Sequence, residues 1–185
     1  MSDKAVFLDR DGVINVDHGY VYKIDDFDFI EGAFEACLHF QSLGYKLVVV
    51  TNQSGIGRGY YSEDDFNILT RWMCDQFEQR GVTINAVYYC PHHPEKAIAR
   101  YLQDCNCRKP KPGMLLQGVT ELGLDASQCI MIGDKHSDMQ AAEAAGFKKK
   151  ILVLSGQQPN SQSQSLADEV WPSLASAAKE FSEKI

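Results

Sequence analysis

The sequence predicts a three-layer, doubly wound (Rossmann-like) α/β fold with a mostly parallel sheet. Two observations carry this. Helix-like stretches stop on glycine at Leu43-Gly44, Arg80-Gly81, Leu122-Gly123 and Ala145-Gly146, and a strand-like run follows at or slightly beyond each. Those runs are near-continuously apolar rather than alternating, as strands covered on both faces require. At 185 residues, the chain suits one domain, 1–185, with a sizeable core.

In chain order, the first strand is Val6–Leu8, and it runs straight into Asp9-Arg10-Asp11-Gly12. Asn15–Ile30 is long for a strand-to-helix loop and rich in Asp and Tyr. The first helix places Phe34, Cys37 and Leu38 on one face. Strand Leu47–Thr51 follows, then the loop Gly55–Tyr61. The second helix opens at Ser62, with Asp65 at its third position. It carries Phe66, Leu69, Met73 and Phe77 at helical spacing, as core residues. Strand Ala86–Tyr89 leads into Cys90–Pro112, a long segment stiffened by prolines. Arg108-Lys109-Pro110 is expected to open the next helix. Strands Cys129–Ile132 and Ile151–Leu154 come after it. Gln157–Ser165 reads as a mobile surface loop, Val170-Trp171 as a short strand, and Ser173–Lys184 as a closing amphipathic helix.

Bulk properties exclude several functions. A formal charge of −7 argues against general nucleic-acid binding, which wants a basic face. No apolar stretch is long enough to span a membrane, and the N-terminus lacks a signal-peptide pattern, so a cytoplasmic protein is expected. Six cysteines in a chain this long do not form a disulfide scaffold. Cys37, Cys74 and Cys129 lie in apolar segments and read as core thiols. No unspent apolar face is evident, so a monomer is expected.

Asp9 and Asp11 are poorly explained by folding, because acids crowded at a buried strand end repel unless a cation sits between them. The pair points to a metal-assisted site in which one Asp attacks and the other handles protons. In a parallel sheet, sites form at the carboxyl ends of strands. Those ends also carry Thr51-Asn52-Gln53-Ser54-Gly55 and Gly133-Asp134-Lys135, with Asp138 just after as a further carboxylate. Lys109 adds a cation. A phosphate needs this combination: Mg²⁺ bridges carboxylate to phosphate, and hydroxyl, amide and lysine donors hold the remaining oxygens. As isolated residues, Asp9 and Asp11 would read as loop caps and Lys109 as a surface charge; the ordered set outweighs that.

This ordered set resembles the motifs of the haloacid dehalogenase (HAD) superfamily of phosphotransferases, across most of the chain. The resemblance implies that Asp9 is a nucleophile forming a phosphoaspartyl intermediate. It implies that Asp11 is the general acid for the leaving alcohol and then the base for water. Thr51 and Lys109 would hold the phosphoryl group. Asp9, the backbone carbonyl of Asp11 and the side chain of Asp134 would hold Mg²⁺. Asp11 favours phosphate chemistry, because the dehalogenases themselves lack the second Asp.

Cys90, Cys105 and Cys107 fall in the polar loop with His92 and His93. A Cys₃His inventory suits tetrahedral Zn²⁺ in a saturated, structural site. The residues alone leave His92 and His93 as competitors. The zinc loop, about 90–107, would hold Arg108 and Lys109 in a fixed pose.

No segment between motifs is long enough for a large cap domain, so the loops must select the substrate. Cys90-Pro91-His92-His93-Pro94 followed by Cys105-Asn106-Cys107-Arg108-Lys109-Pro110 is similar to two branches of the superfamily, and this pattern selects His92 as the ligand. The branches are the D-glycero-D-manno-heptose-1,7-bisphosphate 7-phosphatases and the histidinol-phosphate phosphatases. The stretches from Asp9 to Val21, Thr51 to Gly59 and Cys107 to Met114 resemble the heptose branch; Val13 departs from the commoner Thr without touching the chemistry. That resemblance implies a small sugar-bisphosphate substrate; charge and hydropathy lead to the expectation of neither nucleic-acid nor membrane partners. Arg108 would pair with the retained phosphate or the sugar. Asp17, His18, Gly19 and Tyr20 would line the sugar side, although locally they read nearly as well as an ordinary turn. Arg10, Asn52, Gln53, Ser54 and Lys135 would complete the polar wall. The rivals are histidinol-phosphate phosphatase activity and a non-catalytic, zinc-stabilised interaction module. A phosphomutase would need water excluded, which a site without a lid does badly.

Overall fold

All the glycine stops take left-handed backbone: φ is +87° at Gly44, +79° at Gly81, +62° at Gly123 and +75° at Gly146. Each therefore ends a helix and turns the chain back toward the sheet. The structure, a computed structural model, describes residues 3–156 and 161–181. Its strands are β1 (Ala5–Leu8), β2 (Lys46–Asn52), β3 (Ala86–Cys90), β4 (Ile130–Gly133), β5 (Lys149–Val153) and β6 (Glu169–Trp171). Its helices are α1 (Ala33–Ser42), α2 (Ser54–Gly57), α3 (Glu63–Glu78), α4 (Gly113–Glu121), α5 (His136–Ala144), α6 (Ser161–Leu166) and α7 (Leu174–Glu180).

The strands form a six-stranded sheet in the order β3-β2-β1-β4-β5-β6. Every pairing is parallel. Alternate residues of each strand feed opposite cores. Val6, Leu8, Leu47, Val49, Ile130 and Ile132 pack on one side with Cys37 and Phe40 of α1, Leu69, Met73 and Phe77 of α3, and Leu174 of α7. Ala5, Phe7, Val48, Val50 and Met131 pack on the other with Met114 and Leu115 of α4 and Met139 of α5. This is the expected three-layer arrangement. The chain leaves β1 toward β2 on one side and reaches β5 from β4 on the other. The crevice past the ends of β1 and β4 is thus the topological switch point, where ligands bind in such sheets.

Several local expectations need correction. Leu38 is 45% exposed; the buried face of α1 is Ala33, Ala36, Cys37 and Phe40, because α1 packs against α7. Arg108-Lys109-Pro110 does not open α4, which starts at Gly113 with Pro112 as its N-cap. Ser161–Leu166, expected in a loop, is helical with Ser163 buried; residues 157–160 of that loop lie outside the described residues. The closing helix ends at Glu180, and residues 182–185 lie outside the described residues. The capping box at Ser62 is present: Asp65 N donates to Ser62 Oγ (3.0 Å), and Ser62 N to Asp65 Oδ2 (2.9 Å).

Candidate active site

Asp9 follows β1 and Asp134 follows β4, so the pairing of these strands sets their carboxylates side by side. Asp138, in the first turn of α5, completes a buried group whose ligand oxygens lie within 4.8 Å of one another. Asp138 Oδ2 also accepts from the N-cap Lys135 N (3.1 Å), which fixes it at the third position of its helix. Lys109 Nζ lies 2.6 Å from Asp138 Oδ1 and 3.2 Å from Asp9 Oδ1, and donates to Val50 O (3.0 Å). Asp9, Asp138 and Lys109, with Asp11, Asn52, Lys135 and Ser137, line a small cleft.

The charges are strongly coupled. Burial, and then Asp138, raise the Asp9 carboxyl above its ordinary range, against the pull of Lys109 and Lys135. Burial opposes the charge of Lys109, but Asp138 and Asp9 outweigh it and hold its pKa above the ordinary value. Lys135 is raised in the same way, with Asp9, Asp134 and Asp138 prevailing over burial. Three buried carboxylates against two ammonium groups leave a negative excess that fits a hard, oxygen-liganded divalent cation. Backbone closes tightly here: a Cβ on Gly12 or Gly156 would collide with the Asp134 carboxylate.

Asp11 sits at the mouth in a frame of donors. Arg10 Nη2 (2.9 Å) and Asn15 Nδ2 (3.0 Å) donate to its Oδ1, and Gln53 Nε2 (3.3 Å) donates to its Oδ2. Gln53 Nε2 also donates to Thr51 Oγ1 (2.8 Å), and Tyr61 Oη donates to Gln53 Oε1. Asn52 bonds the Lys109 peptide at both ends: Asn52 Nδ2 donates to Lys109 O (3.2 Å), and Lys109 N donates to Asn52 Oδ1 (3.1 Å). The end of β2 therefore grips the segment that carries the Lys109 ammonium.

The Cys/His group assembles as a second cluster. Cys90 Sγ lies 2.7 Å from Cys107 Sγ and 3.4 Å from Cys105 Sγ, and His92 Nδ1 lies 3.4 Å from Cys107 Sγ. His93 is not part of it, because its Nδ1 accepts from Glu95 N (3.1 Å) and Lys96 N (2.9 Å). The Cys107 thiol is held below its ordinary value, first by its hydrogen bond with Cys90 and against burial; the Cys90 thiol is pushed up by that same bond and by burial. Three sulfurs and an imidazole are a soft donor set that fits Zn²⁺.

Residues 106–177 match the family described as HAD-hydrolase-like. The chain is 54% identical over 174 residues to the D-glycero-beta-D-manno-heptose-1,7-bisphosphate 7-phosphatase of Vibrio cholerae serotype O1, with 94% of each chain covered. The chain belongs to the heptose-bisphosphate phosphatase family. The corresponding Yersinia pestis protein is 49% identical over 175 residues, covering 95% of this chain and 93% of that one. A crystal structure of D,D-heptose 1,7-bisphosphate phosphatase from B. bronchiseptica, complexed with magnesium and phosphate, superposes with a TM-score of 0.81 at 30% identity, covering 96% of this chain and 97% of that one.

Against that heptose-phosphatase frame, the predicted residues divide. Asp9, Asp11, Asn52, Lys109 and Lys135 line the cleft, and Asp134 joins the buried acids. Thr51 is buried beside them on Gln53. Arg10 is 2% exposed: its Nε and Nη2 donate to Asp11 and its Nη2 also to Val21 O (2.8 Å), which ties it to Asp11, while its Nη1 is buried without a hydrogen-bond partner among the described residues. Gln53 is buried with its amide committed at both ends. Ser54 is half-buried at the start of α2. Asp17 Oδ1 accepts from Gly19 N (3.0 Å), an Asx turn, and exposed His18 pairs with Asp28 (2.7 Å). Tyr20 leaves that turn to meet Tyr60 edge-on at 4.9 Å, with Arg58 5.7 Å from its ring. Sequence reasoning missed Ser137 and assigned Asp138 no role. Its signal was available: a carboxylate at the third position of the helix that follows Asp134.

Proposed function

We propose that this chain hydrolyses the 7-phosphate of D-glycero-beta-D-manno-heptose 1,7-bisphosphate, releasing heptose 1-phosphate for nucleotide-heptose synthesis and cell-surface polysaccharide. The beta anomer is the one in the relatives' names. The observation that carries the reading is buried Asp9, held against Lys109 at the switch point with Asp11 at the mouth. Asp9 attacks phosphorus and displaces the sugar alkoxide, and Asp11 delivers the proton that alkoxide needs. Asp11, now a carboxylate, takes a proton from the water that attacks the phosphoaspartate, which releases phosphate and restores Asp9. Lys109 and the Thr51 hydroxyl hold the phosphoryl oxygens through both displacements. Asp9, the Asp11 carbonyl and Asp134 would hold Mg²⁺, with Asp138 beside them; when bound it would neutralise charge on the phosphoryl group. Cys90, His92, Cys105 and Cys107 would hold a structural Zn²⁺.

Arg108 and Arg58 are the groups that would bind a second phosphate, which would favour a bisphosphate over a monophosphate. Arg108 Nη1 and Arg58 Nε are buried without a hydrogen-bond partner among the described residues. Both charges reach His93, whose imidazole is held below its ordinary range by burial and then by Arg108 and Arg58. Such donors suit the retained phosphate. The proposal also carries a cytoplasmic monomer with no nucleic-acid or membrane partner; among the described residues, no helix is long and apolar enough to cross a membrane.

The deciding measurement is phosphate release from both heptose-bisphosphate anomers and from histidinol phosphate, with and without Mg²⁺. The heptose bisphosphate should show the highest kcat/KM, and release should need Mg²⁺. A higher kcat/KM on histidinol phosphate would overturn the assignment.

A further inference from the structure

Tyr61 closes the loop Gly55–Tyr61, where the sequence assigns it no role of its own, and it does not line the acid cleft. It is 6% exposed and stacks on Tyr22, with ring centroids 5.1 Å apart and planes 7° from parallel. A Cβ on Gly55 would run into its ring, so the bare backbone of α2 makes room for the phenol to reach Gln53. There the hydroxyl donates to Gln53 Oε1.

A side-chain amide has one accepting and one donating end. With Oε1 turned to Tyr61, the NH₂ end must face the site, and both its protons are used: one on Thr51 Oγ1 (2.8 Å), the other on Asp11 Oδ2 (3.3 Å). Thr51 Oγ1 accepts there, which frees its own proton for a phosphoryl oxygen. Asp11 is steered by the same amide. The reversed amide would set Oε1 against the Asp11 carboxylate.

We propose that Tyr61 is a positioning residue for phosphoryl transfer, acting through the Gln53 amide to orient the Thr51 hydroxyl and the Asp11 carboxylate together. This rests on the phosphatase reading above, but not on the identity of the sugar. Burial holds the Tyr61 pKa well above its ordinary value, so the phenol remains a donor across the working pH range.

The test is a double-mutant cycle of wild type, Y61F, Q53A and Y61F/Q53A, read with p-nitrophenyl phosphate and with heptose bisphosphate. Y61F keeps the ring and its stack, and should lower kcat about tenfold, the worth of one hydrogen bond, with KM unchanged within about twofold. Once Gln53 is gone the hydroxyl has nothing to orient, so adding Y61F to Q53A should change kcat by less than about twofold. Wild-type kcat in Y61F, full multiplication of the two losses, or a raised KM at constant kcat would each overturn the proposal. If Y61F melts too low to assay, Q53E supplies the answer: its carboxylate still accepts from Tyr61 but offers no donor. Its kcat should fall at least as far as that of Q53A, and a smaller loss would overturn the proposal. Wild type that turns over p-nitrophenyl phosphate but not heptose bisphosphate would sink the sugar assignment and leave this inference standing.

Discussion

The acid centre and the cysteine cluster are built in opposite ways. Asp9 and Asp134 are fixed by hydrogen-bonded strands with core on both faces, and Asp138 by its bond back to the N-cap of its helix. The cysteine cluster hangs on a long segment whose regular structure between β3 and α4 is one short 3₁₀ turn, Ala99–Tyr101. Yet the acid centre depends on that segment for its cation, because Lys109 sits two residues after Cys107. A segment without a core of its own can place an ammonium among buried acids only if it is tied elsewhere. The cluster ties one end, and Asn52 ties the Lys109 peptide itself.

The two regions differ most sharply at Asp9, the proposed nucleophile. Asp9→Asn should cut phosphate release roughly a thousandfold or more while the fold survives, because the lost group is chemical rather than structural. Phosphate release and a thermal melt check both halves; unchanged turnover would refute the assignment. Removing the zinc proposed for the cysteine cluster should act differently. Activity should fall by about 10–100-fold, with hydrogen exchange rising across residues 90–112 and not in β1 or β4. A zinc-free protein with full activity and a protected loop would show that the cluster does not position Lys109.

The two regions were also unequally legible. The strands and helix stops could be read because apolar runs and terminal glycines act locally, and Asp9, Thr51, Lys109 and Asp134 because they follow such runs in a fixed order. The cysteines stood out as ligand-type residues in a polar loop, although Cys90 is buried in the core and Cys105 and Cys107 pack against it. What failed depends on tertiary direction. Arg10 sits between two site acids, and nothing local says that it turns inward between Phe27 and Phe66, 5.7 and 5.9 Å from their rings. Gln53 looked like a wall and is a relay, because Tyr61 reaches it from beyond α2. In α1, the spacing of Phe34, Cys37 and Leu38 suggested a face that docking against α7 rotates by a residue or two. The Ser/Gln-rich run at 161–166 has weak helix preference and forms a helix against α5 and β5, where contacts override propensity.

Asn52 tests how the anchoring is shared. Asn52→Ala removes both bonds to the Lys109 peptide and should lower kcat by about tenfold, with a stability loss of about 1–3 kcal/mol. Steady-state kinetics and urea melts read the two effects. If the loss equals that of zinc removal, the clamp and the cluster act as a single anchor; if it is absent, the cluster suffices.

The smallest effect belongs to the far side of the loop, where Glu63 of α3 accepts from Tyr89 Oη (2.6 Å), Tyr101 Oη (2.8 Å) and Arg100 Nη2 (3.1 Å). Its pKa is lowered from 4.5, first by Tyr89 and then by Tyr101. A carboxyl depressed on folding stabilises the fold fully above its unfolded pKa, and that contribution is lost as pH falls through the lower, folded value. Its side chain is 33% exposed, so screening limits the contribution to about 1 kcal/mol or less. Glu63→Gln should therefore melt slightly below wild type at pH 7, and the gap should shrink as pH drops below 4.5. Acid also protonates the cysteine cluster, but it does so equally in both proteins, so their difference isolates Glu63. A gap that stays constant with pH would mean that Glu63 holds the loop by packing rather than by charge.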